Sequence, residues 1–169
     1  MSAYRFDKLK ILVVDDNVHM RKLVVTILQA FGVVHIFEAE SGERAWAVLR
    51  ESSPDVVVLD WMMEGLSGLD VVQMIRSDPQ TPNPFVPVIM ITGHTERHKV
   101  EAARDAGVTE FIAKPITAQS LFARIAEILE RPRAFVRCES YFGPDRRRKA
   151  QEDYAGPWRR HGDGYDLQV

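Results

Sequence analysis

Four short apolar runs in this chain each stop at a reactive side chain, which restricts the fold to very few arrangements. Ile11-Leu12-Val13-Val14 stops at Asp15-Asp16, and Val56-Val57-Val58-Leu59 stops at Asp60. Val86-Pro87-Val88-Ile89-Met90-Ile91 stops at Thr92, and Phe111-Ile112-Ala113 stops at Lys114-Pro115. Runs this apolar, without polar alternation, suit parallel strands covered on both faces. In an open α/β sheet, chemistry gathers outside the carboxyl ends of the strands. Four such strands side by side would bring three carboxylates, a hydroxyl and an ammonium to one edge. That set builds an acidic pocket suited to a metal ion and a phosphate.

Helical patterns fill the gaps between the runs. Residues 9–15 read as a buried strand, and Asn17 as the N-cap of a helix carrying Met20, Leu23, Val24, Ile27 and Leu28 inward until Gly32. A second strand spans 33–39, and a short helix spans 44–51 with Ala45, Val48 and Leu49 inside. After the strand ending at Asp60 come a loop, 62–68, and a helix with Leu69, Val72 and Ile75 inside. The prolines of residues 78–84 fix a loop. A polar helix over 96–106 ends at Gly107, and Thr117 caps a last helix reaching Leu129. Five strands alternating with five helices predict an α/β fold with a doubly wound parallel sheet. Strand order 2-1-3-4-5 places the reactive ends together and sends the second strand, ending in Glu38-Ala39, to the edge.

Whole-chain properties mostly exclude. The 169 residues, 46% hydrophobic, suffice for one core with some chain to spare. A formal charge of −2 selects no partner class. Cys138 is the only cysteine, so an intrachain disulfide and a thiolate metal cluster are impossible, and a reducing compartment is expected. Arg5, Asp7, Lys8 and Lys10 break any signal-peptide pattern, and no apolar run approaches the roughly 20 residues of a membrane span. A cytoplasmic protein without membrane insertion is expected.

The constellation carries the chemistry. Asp15, Asp16 and Asp60 offer the hard oxygen ligands that Mg²⁺ prefers, Lys114 a positive charge for a phosphate oxygen, and Thr92 a small hydroxyl donor. Each has a bland reading alone, as a helix cap, a β-former or a turn, but together and in this order they do not. From about Lys8 to Leu129 the chain resembles the receiver domains of two-component response regulators. The pieces that carry the resemblance are Val13-Val14-Asp15-Asp16-Asn17, Leu59-Asp60-Trp61-Met62-Met63, Ile91-Thr92-Gly93 and Ala113-Lys114-Pro115. The resemblance implies a CheY-like (flavodoxin-like) fold and a phosphoryl group accepted on Asp60 from a histidine kinase or phosphotransfer protein. It implies Mg²⁺ held by Asp15, Asp16, Asp60 and the backbone carbonyl of Met62, with Lys114 and Thr92 closing on the phosphate. Phe111 would be the aromatic switch residue, turning inward, and Lys114–Pro115 a cis bond. The implied chemistry is self-phosphorylation and autodephosphorylation only, so turnover as an enzyme is not expected.

The departures from the family pattern matter as well. Glu64 stands where the family usually has Pro, so the loop after Asp60 is expected to be looser or differently shaped. Phe111 replaces the frequent Tyr. Met62 and His94 occupy the two rim positions that tune dephosphorylation, and neither is a suitable acid or amide, so a long-lived phosphoryl group is expected. His94 and His98 share helical spacing, but without further ligands they read as a solvated face. Trp61 fits the pocket rim and the core about equally.

Beyond Pro132 aliphatic residues become scarce, giving a receiver over 1–131 and a flexible Gly/Arg/aromatic-rich tail over 132–169. The tail repeats Tyr-x-Gly-Pro-x-Arg-Arg, as Tyr141 to Arg147 and again as Tyr154 to Arg160. As a duplicated recognition element, its binding residues would be Tyr141, Arg146, Arg147, Tyr154, Arg159 and Arg160, stacking and forking onto a phosphate or carboxylate. No DNA-binding domain fits in that segment. The leading expectation is a stand-alone receiver that signals by phosphorylation-gated binding of an output protein. The alternative is an effector whose arginine-rich tail binds a nucleotide or other anionic partner, such as a cyclic dinucleotide or RNA. A haloacid-dehalogenase-like phosphatase is set aside, because such enzymes place the nucleophile in an Asp-x-Asp motif, whereas Asp15 and Asp16 are adjacent.

Overall fold

Among the described residues, four of the five α-helices start where a small polar side chain closes the first turn. The computed structural model describes residues 5–93, 96–146 and 166–168. Asn17 accepts from the N–H groups of His19 and Met20 at the start of α1 (Val18–Ala30), and Ser41 from Arg44 at the start of α2 (Gly42–Ser52). Ser67 with Asp70, and Thr117 with Ser120, form capping boxes on α3 (Gly68–Ser77) and α5 (Ala118–Glu130). Among the described α-helices only α4 (Arg97–Ala106) lacks a side-chain cap, and it ends at Gly107 with φ +105°.

Between the helices run β1 (Lys10–Val14), β2 (His35–Ala39), β3 (Val56–Asp60), β4 (Val88–Thr92) and β5 (Glu110–Ala113). They pair in parallel in the order β2-β1-β3-β4-β5, as the sequence led us to expect. Register explains where the reactive ends fall. Val14 pairs with Leu59, Leu59 with Met90 and Met90 with Phe111. Asp15 and Asp60 therefore lie one step beyond the same row, on neighbouring strands.

Alternate strand residues face opposite ways. Leu12, Val14, Val57, Leu59, Val88 and Met90 pack with α2 and α3, and Ala103 of α4 joins them. Ile11, Val13, Val58, Ile89, Ile91 and Ile112 pack with Val24 and Leu28 of α1 and Leu121 and Ile125 of α5. Leu23, expected inside, is exposed, because the inward stripe of α1 runs through Val24 and Leu28 and Leu23 lies about 100° round the helix from Val24. Trp61 resolves toward the core, packed with the α2–α3 layer.

The reading of residues 132–169 as a flexible tail is corrected over its first part. Residues Phe135–Cys138 (β6) and Tyr141–Pro144 (β7) form an antiparallel hairpin, and Asp166–Gln168 (β8) pairs with the other edge of β6. Phe135, Val136 and Tyr141 are buried. Phe85, Phe135 and Phe142 form a ring cluster with centroids 5.1 to 5.7 Å apart. Counting aliphatic residues missed this because the hairpin contributes aromatic rings and shares apolar surface that the α/β body supplies. An apolar groove of about 520 Å³, lined in part by Phe85, Ile128 and Phe135, opens beside it. No helix among the described residues is long and apolar enough to cross a membrane.

Candidate functional site

The pocket is assembled by turns that leave the ends of β1, β3, β4 and β5. Asp60 closes β3 and is only 3% exposed. The turn behind it depends on Gly68, where a Cβ would collide with the backbone carbonyl of Asp60 and crowd Trp61 Cα. Glycine alone lets α3 begin so close to the strand, and the Gly68 N–H donates to the Trp61 carbonyl at 2.8 Å.

Asp15, Asp16 and Asp60 each place a carboxylate oxygen within 4.8 Å of the others. Asp15 Oδ1 accepts from the Asn17 N–H at 2.8 Å, while its Oδ2 is buried without a hydrogen-bond partner. Asp16, on the exposed side, accepts from the Glu64 N–H at 3.0 Å. Opposite stands Lys114, its Nζ 2.8 Å from Asp60 Oδ1 in an ion pair. The Lys114–Pro115 bond is cis, and the Lys114 N–H donates to the Thr92 carbonyl at 2.9 Å.

Electrostatics shows what this arrangement lacks. Burial pushes Asp15 up to about 6; the Asn17 N–H opposes the shift and the Asp60 charge adds to it. Burial also raises Asp60, opposed by the Lys114 ammonium and the Met62 backbone N–H. One ammonium faces three carboxylates, two of them buried, and one buried lone pair is unused. Hard oxygen donors with an orphaned oxygen fit a divalent cation of the Mg²⁺ type.

The structure brings together Asp15, Asp16, Asp60 and Lys114, with Thr92 buried on the strand beside Asp60. Phe111 is half-buried against the α2–α3 layer, and Met62 is exposed at the loop. His98 is exposed, and His94 lies outside the described residues. Of the tail residues, Tyr141 is buried in the hairpin and Arg146 pairs with Asp105 of α4. Arg147, Tyr154, Arg159 and Arg160 lie outside the described residues. Sequence reasoning missed Arg21, whose Nη1 donates to the Asp15 carbonyl at 2.8 Å while Nε pairs with Glu38. Its one signal was position, a single turn into α1 and facing the end of β1.

Fold and pocket together define a doubly wound α/β protein whose acidic edge, opposite a lysine, could hold a divalent cation. Residues 11–126 match the family described as the response regulator receiver domain. The chain is 36% identical over 123 residues to the chemotaxis protein CheY of Pseudomonas aeruginosa, covering 73% of this chain and 98% of that one. It is 37% identical over 131 residues to CheY-3 of Vibrio cholerae, covering 78% and 99%. The solved structure of Vibrio cholerae CheY4 superposes with a TM-score of 0.66 at 28% identity, over 71% of this chain and 98% of that one. The chain belongs to the response regulator receiver family, and so to two-component signal transduction.

Proposed function

We propose that Asp60 accepts a phosphoryl group from a histidine kinase or phosphotransfer protein, and that the modified receiver then binds an output protein. The observation that carries this reading is Asp60 itself, buried at the pocket floor, 2.8 Å from Lys114 Nζ and clustered with Asp15 and Asp16. An Asp60 oxygen attacks phosphorus, the bond from phosphorus to the donor nitrogen or oxygen breaks, and an acyl phosphate results. Asp15, Asp16, Asp60 and the Met62 carbonyl would hold Mg²⁺, which when bound neutralises the charge of carboxylate and phosphate. Lys114 supplies the fixed positive charge opposite, and Thr92 a hydroxyl donor for a phosphoryl oxygen. The role is that of a signalling protein modified on itself, with no substrate turned over. Met62, 63% exposed, brings no acid or amide to the rim, which favours slow hydrolysis.

Incubation with acetyl phosphate and Mg²⁺, followed by intact mass, tests the reading. One phosphoryl adduct is expected, absent in Asp60→Ala and suppressed by a chelator. An adduct that persists in Asp60→Ala would sink it.

A further inference from the structure

The first copy of the tail motif is a compact side-chain network. The Tyr141 hydroxyl donates to the Pro144 carbonyl at 2.7 Å, folding the ring back over its own strand. Gly143 makes this possible, because a Cβ there would stand 2.6 Å from that hydroxyl and 3.1 Å from Gly107 Cα. Arg146 lies over the Tyr141 ring at 4.4 Å and pairs its Nη1 with Asp105 Oδ1. Tyr, Gly, Pro and Arg thus act as one unit, and what the unit grips is the C-terminal end of α4.

A second clamp reaches that end from below. Arg76 is buried with no carboxylate beside it, and burial lowers it to about 10. Its Nε and Nη2 donate to the Gly107 carbonyl at 3.1 and 3.0 Å, and its Nη1 to the carbonyls of Val86 and Pro84 at 2.7 and 2.8 Å. The guanidinium in turn lies 5.0 Å from the Phe135 ring centre. The turn from α4 to β5 is therefore held between α3 and the hairpin.

The rest of α4 buries little. Only Ala103 of its ten residues is buried, its N-cap Glu96 makes no side-chain cap, and its ion pairs Arg97–Glu101 and Lys99–Glu96 are solvent-facing. The other helices bury more of their residues, as α3 does with Gly68, Val71, Val72, Ile75 and Arg76. An element with few buried contacts is the one that opens or shifts first. The α4 N-cap lies only four residues beyond Thr92 in sequence, a short covalent link between the pocket end of β4 and the start of α4.

We propose that the hairpin of residues 135–146 is a latch on the C-terminal end of α4 that holds the helix in the position it has while Lys114 is paired with Asp60, and so restrains phosphorylation. The latch contacts belong to the resting pocket. Any shift of α4 that accompanies the phosphoryl group must give them up, and by linkage weakening them eases phosphorylation. The coupling rests on Asp60 being the phosphoacceptor; the grip on α4 does not.

Hydrogen exchange on the full chain, in the wild type, Arg146→Ala, Asp105→Ala and the double variant, tests the grip. Amides of α4 are expected to exchange roughly three- to tenfold faster in each single variant, and no faster still in the double. Amides of α1 and α2 should be unchanged, as should α4 in Arg137→Ala, whose guanidinium stacks on Phe142 instead. The acetyl phosphate reaction should give the Asp60 adduct about three- to tenfold faster in Arg146→Ala. Unchanged α4 exchange, or loosening spread evenly through α1 and α5, overturns the latch. An adduct forming equally fast in both proteins overturns the coupling alone. No adduct in the wild type removes the phosphoacceptor reading and the coupling with it, while the exchange result still decides the grip.

Discussion

The backbone N–H of Glu64 donates to Asp16 Oδ2 across 3.0 Å, tying the loop after β3 to a carboxylate that follows β1. A proline, which the family usually carries here, has no N–H and cannot make this bond. Glu64, expected to leave the loop looser or differently shaped, supplies the N–H that ties the loop to Asp16 and orients a carboxylate of the candidate metal site. Hydrogen bonds to a metal-binding carboxylate hold it in its ligating orientation. Glu64→Pro should weaken Mg²⁺ binding by about three- to tenfold, near 1 kcal/mol. Glu64→Ala retains the N–H and should bind nearly as the wild type does. Trp61, adjacent to Asp60, provides the fluorescence signal for the titration. Equal weakening in both variants would assign the effect to the Glu64 side chain.

Three clustered carboxylates opposite one ammonium are a cost to the metal-free fold. Burial disfavours the charged form of Asp60, and Lys114 offsets that only in part. In chelator, Asp60→Asn should therefore melt higher, by roughly 1–2 kcal/mol or about 2–8 °C for a protein of this size. The freed Lys114 can turn to water. Lys114→Ala should move the other way, leaving a buried charge without its partner, and saturating Mg²⁺ should recover part of the loss. Thermal unfolding of both variants, with and without Mg²⁺, checks the opposed signs.

The main sheet and its reactive edge were legible because each depends on short-range patterns. Apolar runs ended at Asp15, Asp60, Thr92 and Lys114, and side chains such as Asn17, Ser67 and Thr117 marked the helix starts. What stayed hidden depends on long-range shape. Arg76 reads as a surface residue near a helix end until α3, the loop before β4 and the α4–β5 turn place three carbonyls around it. Glu110, at the start of β5, is buried because Arg133 from beyond α5 returns to pair with it at 2.9 Å. The hairpin was missed for a related reason. Phe135, Val136 and Tyr141 are too few to form a core of their own, and only the receiver surface completes one.

Tyr141 gives the hairpin a pH signature. Burial pushes its phenol up to about 12, against the pull of Arg146 and Arg76. In the unfolded chain it ionises near pH 10. A raised folded-state value means that this stabilisation is complete below pH 10 and is lost as pH rises from 10 to 12. The full loss is about 2–3 kcal/mol. Tyr141→Phe should be less stable by about 1 kcal/mol at pH 8, having lost the bond to the Pro144 carbonyl. Its stability should then fall less steeply than that of the wild type between pH 10 and 12. Denaturant midpoints across that range measure the difference, and parallel curves would remove Tyr141 as the cause.

Ending the chain at Arg131 should leave the receiver folded but weaker. Both layers of the core are closed by residues no later than Ile128, so the five-stranded sheet keeps its own packing. What is lost is the burial of Phe135, Val136 and Tyr141, worth up to about 1.5–3 kcal/mol each. The cover over Arg76 and Phe85 goes with it. The entropy regained by the freed hairpin residues offsets part of this, and the main-chain pairing of β6 and β7 and the Arg133–Glu110 and Arg146–Asp105 pairs are lost as well. A net loss of about 2–4 kcal/mol is expected, read as a fall of roughly 5–15 °C in Tm. Hydrogen exchange in the truncated protein should rise most at the α4–β5 turn, which then keeps the Arg76 clamp on the Gly107 carbonyl but loses Gly143 packed against Gly107 Cα. An unchanged Tm would show that the hairpin adds no net stability. Complete unfolding would show that the packed body of this receiver extends past α5.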